Sequence, residues 1–271
     1  MNIQIYINKK SISINDRAFN YGDGLFETIL VENYKPKYFS DHIKRLHHGC
    51  DKLNLAKPNR KLLSKYTRQA IGRTKKCIIK IIYSRGETTH GYTYTKKLIP
   101  HLYIFKKKLP ERDKTINLTL GLSKHKIIEN DKLAEIKHLN RLDQVLASSD
   151  NIQSKYDELI LTSKSNHIVE CISSNIFFYD YNENRGLNIE TPDLGMHGVE
   201  GILRNKVIQT FRQKKIKITI KNISLNEHKK YTGCFITNSI QGVRFVSKFN
   251  KKRYSHIPLI ESLLDNYIYE E

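Results

Sequence analysis

Glu135-Ile136-Lys137-His138-Leu139-Asn140-Arg141-Leu142 sets one lysine immediately ahead of an apolar spacing, Leu139, Leu142, Val145 and Leu146, which predicts a helix beginning close to Lys137. Taken alone, a lysine in a chain with 47 Lys and Arg residues is a solvated surface group. The residues that follow change its meaning. Glu158 to Thr162 and Ile168 to Cys171 flank the polar Ser163-Lys164-Ser165-Asn166, which reads as a hairpin whose second strand carries Glu170, and Asn175 to Tyr179 extends the sheet. Gly195-Met196-His197-Gly198-Val199-Glu200-Gly201 then leads into a helix from about Gly201 to Phe211, followed by the alternating strand Ile216-Lys217-Ile218-Thr219-Ile220.

Upstream the chain is equally mixed. Asn2 to Ile7 alternates, as does Ser11 to Ile14 after the polar Asn8-Lys9-Lys10, and together they predict a hairpin with one buried face. From Ser40, a plausible N-cap, Ile43, Leu46, Cys50 and Leu53 recur at helical spacing, with Arg45 off that stripe. A helix near Leu62 to Ile71 precedes the β-rich run Cys77 to Tyr83 and a strand from His101 to Phe105. Leu109-Pro110-Glu111-Arg112-Asp113-Lys114 combines proline with charge and marks the expected boundary, with alternation resuming over Ile116 to Leu120. The expectation is an α+β protein of two domains, 1–112 and 113–271, the second carrying Lys137. No internal repeat is visible.

A chain of 271 residues, 39% hydrophobic with 16 Tyr and 10 Phe, can bury a substantial core and has no apolar run long enough to cross a bilayer. Met1 to Asn20 shows no secretory pattern, so a cytoplasmic location is expected. Cys50, Cys77, Cys171 and Cys234 have no paired spacing and read as core thiols, with no metal site. The formal charge of +20 would attract polyanions, which makes a basic RNA-binding protein one reading. The lysines are scattered and no nucleic-acid-binding motif accompanies them, and attraction of a small anionic substrate uses the charge equally well.

The chemistry of the set is coherent. A lysine amine forms a Schiff base with an aldehyde, and a carboxylate such as Glu170 holds a pyridine nitrogen protonated, which together suit pyridoxal phosphate. A phosphorylated cofactor needs an anion site, which the amides of Ile202 and Leu203 at a helix start, Arg45 and the Ser239 hydroxyl are able to supply. Each has a bland reading: a glycine turn before a helix, a solvated arginine, a serine cap.

Several blocks in one order carry a resemblance. Asn15-Asp16-Arg17, Tyr21-Gly22-Asp23-Gly24-Leu25-Phe26-Glu27-Thr28-Ile29, Asp41-His42-Ile43-Lys44-Arg45-Leu46, Lys137-His138-Leu139-Asn140-Arg141-Leu142, Glu170 with Asn175-Ile176-Phe177, Thr191-Pro192, Gly198 through Arg204, and Thr237-Asn238-Ser239 resemble the fold-type IV aminotransferases, and within them the 4-amino-4-deoxychorismate lyases. The resemblance implies two domains with mainly antiparallel sheets, a homodimer, and pyridoxal 5'-phosphate on Lys137 with Glu170 facing its ring nitrogen. It puts Arg45, the Ile202 and Leu203 amides and Ser239 at the phosphate, counts Asn238 among the cofactor-binding residues, and leaves His138 structural.

Phe26 and Thr28 are the substrate-side residues that favour the lyases, since branched-chain aminotransferases usually have glycine where Thr28 stands and D-amino acid aminotransferases usually have tyrosine in place of Phe26. Lyases typically carry an arginine where this chain has His90, and His90 replaces it only when protonated, with Arg85 as the compensating cation. The implied reaction converts 4-amino-4-deoxychorismate to 4-aminobenzoate and pyruvate. The alternative is a transaminase of a small branched-chain or D-amino acid.

Overall fold

A computed structural model describes residues 2–95, 97–110, 117–152, 156–184 and 186–267. By contacts the chain divides into two compact units, Met1–Glu111 with Ile136–Arg141, and Arg112–Glu135 with Leu142–Glu271. The expected boundary at 112/113 lies outside the described residues.

The first unit contains β1 (Gln4–Ile7), α1 (Arg17–Tyr21), β2 (Gly24–Glu32), β3 (Lys35–Pro36), α2 (Phe39–Lys52), α3 (Arg60–Ile71), β4 (Cys77–Ser84) and β5 (His101–Lys107). Its sheet runs β1-β5-β4-β2-β3. β2 and β4 pair antiparallel from Gly24↔Ser84 to Val31↔Cys77. Alternation therefore sends Leu25, Glu27, Ile29 and Val31 to one face and Phe26, Thr28 and Leu30 to the other. The stripe His42, Ile43, Leu46, Gly49 and Cys50 of α2 is buried against β2. Gly49 permits that approach, because a Cβ there would lie 2.7 Å from Cδ2 of Leu25. α2 starts at Phe39, with Tyr38 at the cap position, so Ser40 lies inside the helix and does not cap it.

The expected N-terminal hairpin is not formed. β1 pairs parallel with β5, and residues 11–14 form no strand, leaving Ile12 and Ile14 exposed. Local alternation marks a strand but not its partner, and here the partner lies far along the chain. A second correction concerns Lys137, which belongs to the first unit and not to the C-terminal domain. The short β3 pairs only Val31 and Glu32, which leaves the other end of β2 with an open edge. The 137–139 segment fills it: Phe26 N–H donates to Lys137 O at 2.9 Å, Leu139 N–H to Gly24 O at 3.0 Å, and Leu25 bridges His138.

The second unit contains β6 (Leu118–Ile127), α4 (Leu142–Ser149), β7 (Glu158–Ser163), β8 (His167–Cys171), β9 (Asn175–Asn182), β10 (Gly186–Pro192), α5 (Ile202–Gln213), β11 (Lys217–Lys221), β12 (Ile223–Ser224), β13 (Gly233–Asn238), β14 (Gly242–Phe249), β15 (Lys252–Arg253) and α6 (Pro258–Leu264). Its sheet runs β11-β10-β9-β13-β14-β6-β7-β8-β12, with β15 on β14. Most pairs are antiparallel, while β10 with β11, β14 with β6, and β6 with β7 run parallel. One core packs Ile160, Ile168, Ile176, Phe178, Cys234, Ile236 and Val246 together, and on β9 and β13 Phe177 stacks on Phe235 at 4.8 Å. The helix expected from near Lys137 begins only at Leu142, because the preceding residues are committed to β2. The whole is a mixed α and β architecture.

Candidate active site

In the first unit the Lys137 ammonium lies 4.5 Å from the centroid of Phe26. Two further cations approach the same ring, Lys80 at 5.1 Å and Arg141 at 5.9 Å. Lys80 stands directly opposite Thr28 in the β2/β4 register, so Phe26, Thr28 and Lys80 share a face. Burial lowers the pKa of Lys80, and Lys107 adds to the effect. Arg141 is anchored by its bonds to the carbonyls of His138 at 3.0 Å and Ile136 at 2.9 Å. His138 is held neutral: burial, then Arg141 and Lys137, push its pKa down to about 3. Sequence reasoning missed Lys80 and Arg141. The signal for Lys80 was present, since it is the single charge in Ile78-Ile79-Lys80-Ile81-Ile82.

Arg45 is paired with buried Glu27. Its Nε and one terminal nitrogen donate to the two oxygens of buried Glu27 at 2.8 and 2.6 Å, and His42 Nδ1 meets Glu27 Oε2 at 2.6 Å. Burial opposes ionisation of Glu27, but Arg45 and then His42 outweigh it and hold the carboxyl at about 2. The pKa of His42 is itself lowered, by burial first, against the opposing pull of Glu27.

Arg85 and His90, the two cations expected at the substrate, stand in different surroundings. Arg85 is buried and donates to Asp23 at 2.8 and 3.0 Å and to the carbonyls of Asn54 and Leu53, while its guanidinium stacks on Tyr94 at 3.8 Å. A guanidinium so engaged braces the fold. His90 is exposed in a turn, and the carbonyls of Gly91, Tyr92 and Thr93 that follow it are pinned by Arg17.

In the second unit, β8 delivers Glu170 to a buried position, where it accepts the Val199 N–H at 2.9 Å and Asn175 Nδ2 at 3.4 Å. The same Asn175 amide donates to Val199 O at 2.9 Å, so the Gly198–Gly201 turn is held from both sides. Gly198 sits at φ +78°, and a Cβ there would lie 3.2 Å from Glu170 Oε2 and 2.9 Å from Leu194. A Cβ on Gly201 would meet Asn175 Oδ1 at 2.0 Å. Gly201 caps α5 with no side-chain hydrogen bond, and Ile202 and Leu203 form its buried first turn. Asn238 shapes its own turn, Nδ2 donating to Ser173 O and Oδ1 accepting from Ile240 N–H. Ser239 is half-buried in that turn.

A buried carboxylate beside side-chain-free backbone, and a helix start without a side-chain cap, fit a planar heterocycle that carries an anionic tail. Among the described residues no cluster of three or more metal-ligating side chains occurs, and no helix is long and apolar enough to cross a membrane.

The chain belongs to the amino-transferase class IV family, whose profile matches residues 24–249. That family is dependent on pyridoxal phosphate. Among its relatives, the aminodeoxychorismate lyase of Vibrio harveyi is 25% identical over 239 residues, covering 87% of this chain and 86% of that protein. The crystal structure of 4-amino-4-deoxychorismate lyase from Pseudomonas aeruginosa superposes with a TM-score of 0.88 at 25% identity, covering 95% of this chain and 94% of that one. The branched-chain aminotransferase of Thermoproteus uzoniensis shares the fold, with a TM-score of 0.84 at 18% identity over 96% of this chain and 89% of that one.

Proposed function

We propose that the protein is a pyridoxal-phosphate-dependent lyase that converts 4-amino-4-deoxychorismate to 4-aminobenzoate and pyruvate. The observation that carries this reading is the Lys137 amine over Phe26, on a ring that Lys80 and Arg141 also approach. An amine that must remove a proton sits beside a flat apolar wall, and neighbouring cations match a substrate that bears two carboxylates. Likeness to the two lyases over nearly the whole chain supports the same reading.

Lys137 is the covalent anchor and the general base. Glu170, held by Val199 and Asn175, is the acceptor for a protonated ring nitrogen. Arg45, the amides of Ile202 and Leu203 and the hydroxyl of Ser239 are assigned to the phosphate. Bound pyridoxal phosphate supplies the sink for electrons left when the amine-bearing carbon loses its proton. Lys137 takes that proton, the ether C–O bond of the substrate breaks, and the enolpyruvyl group leaves and is protonated to pyruvate as the ring becomes aromatic. Phe26 and Thr28 line the substrate side, and Lys80 replaces His90 and Arg85 as the counter-charge to a substrate carboxylate.

A transaminase would use the same Lys137, and the branched-chain fold likeness keeps it as the second reading. The test is pyruvate release from 4-amino-4-deoxychorismate with no keto acid present. Stoichiometric 4-aminobenzoate and pyruvate are expected. Stable conversion of the cofactor to its amine form, with turnover only after a keto acid is added, would replace the lyase by the transaminase. A protein's failure to retain pyridoxal phosphate after borohydride reduction would remove both.

A further inference from the structure

The formal charge of +20 is unevenly spread, and the proposed chemistry uses little of it. From Lys52 to Gly86 the chain carries 11 Lys and Arg and no Asp or Glu. On α3, Arg60, Ser64 and Arg68 form one row at intervals of four residues and Lys61 and Lys65 form the next, so four exposed cations share a face. The opposite stripe, Leu63, Thr67, Ala70 and Ile71, is buried, and α3 packs on β4 and β5. Between the cationic face and Phe39, at the start of α2, lies an open groove of about 930 Å³ that no acidic residue lines. Among the described residues none of the four cations meets a carboxylate, and Arg68 donates to Ser64 Oγ at 3.0 Å. Arg60 and Lys61 in the first turn oppose the helix dipole, and Lys61 and Lys65 repel across one turn. An anion in the groove offsets both costs.

We propose that this groove binds single-stranded RNA, with backbone phosphates on Arg60, Lys61, Lys65 and Arg68 and a base against Phe39. A line of cations beside an aromatic ring holds a single strand without reading its sequence. The volume suits about one or two nucleotides at a time and not a duplex. The hydroxyl of Ser64 and the amide nitrogen of Asn59, also in the lining, are neutral donors suited to a ribose hydroxyl. An anionic membrane fits worse, since the apolar stripe of α3 is turned inward and leaves nothing to insert. The groove is built from the first unit alone and does not depend on the reading of the active site.

The test is fluorescence anisotropy of the full chain with a labelled oligouridylate of about 12 nucleotides. Wild type is expected to bind with a Kd of about 10⁻⁴–10⁻⁶ M, weakening about 50-fold between about 50 and 200 mM salt as four phosphate contacts are screened. Arg60→Gln, Lys61→Gln, Lys65→Gln and Arg68→Gln together should remove about 50-fold or more of the low-salt affinity and most of the salt dependence. All four side chains are exposed, so melting temperature and turnover should match wild type. Lys124→Gln, Lys164→Gln, Lys214→Gln and Lys248→Gln together take the same charge from exposed sites on the second unit and should bind nearly as wild type does. Phe39→Leu should lose about 5- to 100-fold, the contribution of one stacked base. An equal loss in both quadruple variants overturns the proposal, because bulk charge then suffices, and so does unchanged binding by the groove variant or by Phe39→Leu. Tighter binding to duplex RNA, to phosphatidylserine vesicles or to polyglutamate also overturns it and gives the groove to that partner. Should the groove variant melt lower than wild type, Lys65→Glu alone carries the test, with weaker binding expected and unchanged binding fatal.

Discussion

Glu170 accepts the main-chain N–H of Val199 at 2.9 Å, and Val199 returns its carbonyl to the side chain of Asn175 at 2.9 Å. This exchange ties a strand carboxylate to the turn that opens α5. It depends on Gly201, where any β-carbon would collide with Asn175 Oδ1. Gly201→Ala is therefore expected to destabilise the protein by about 1–3 kcal/mol, as overpacking does. Urea unfolding of wild type and variant measures it. A loss in cofactor affinity should accompany it, and unaltered unfolding would show that the turn shifts without strain.

Lys137→Ala removes the amine without removing packing, since the side chain is half-buried above Phe26. Turnover should fall by about 10²–10⁴-fold or more, with the far-ultraviolet circular dichroism and melting temperature close to wild type. Borohydride reduction should no longer attach cofactor to the chain. Retained pyruvate release in this variant would contradict the role given to Lys137.

Lys80→Met tests the counter-charge. A charge-assisted bond contributes about 1.5–3 kcal/mol, so KM for the anionic substrate should rise about 10- to 100-fold while kcat changes less. Lys80→Arg should restore part of the loss. An unchanged KM in Lys80→Met would return the substrate carboxylate to some other cation.

Arg85→Ala separates a brace from a substrate contact. It breaks a bidentate pair in which Arg85 and Asp23 are both largely buried. Destabilisation of about 1–3 kcal/mol is expected, because the carbonyls of Leu53 and Asn54 lose a charged donor and Asp23 keeps only Arg17. In substrate titrations on protein that remains folded, KM should stay within about twofold, since this guanidinium is spent on the fold. A selective rise in KM with normal stability would restore the substrate role.

Acid should unfold the protein partly through Glu27. Its carboxyl is held at about 2, below the ordinary 4.5 of a glutamate. The stabilisation is complete above the unfolded value and is lost as pH falls through the folded one. For a shift of this size it amounts to about 3 kcal/mol. Urea unfolding from pH 6 to pH 2 should show wild type losing its advantage over Glu27→Gln between about pH 4.5 and 2. A constant difference across that window would mean that Glu27 does not titrate there.

The sequence alone was enough to propose Lys137 and Glu170, because an amine, a carboxylate and a glycine-bearing helix start form a chemical set whose members are recognisable by type. The helices over 39–52 and 60–71 and the strands at 77–84 and 158–171 were legible too, from periodicity alone. Partners were not. Nothing local in Gln4–Ile7 names β5, and nothing in Lys137-His138-Leu139 announces that these residues close the open edge of β2. Charge was read as type without commitment. Arg85 and Lys80 are both cations near the proposed substrate residues in sequence, and only packing distinguishes one spent on Asp23 from one turned toward Phe26.

Residue types and their order determined the family, the lysine proposed as the covalent anchor and the carboxylate proposed for the ring nitrogen. Tertiary structure decided which unit carries that lysine and which arginine is spent on Asp23. The division has a physical cause. Reactivity and periodicity are properties of side chains and short segments, whereas hydrogen-bond satisfaction depends on neighbours that loop closure brings from distant parts of the chain.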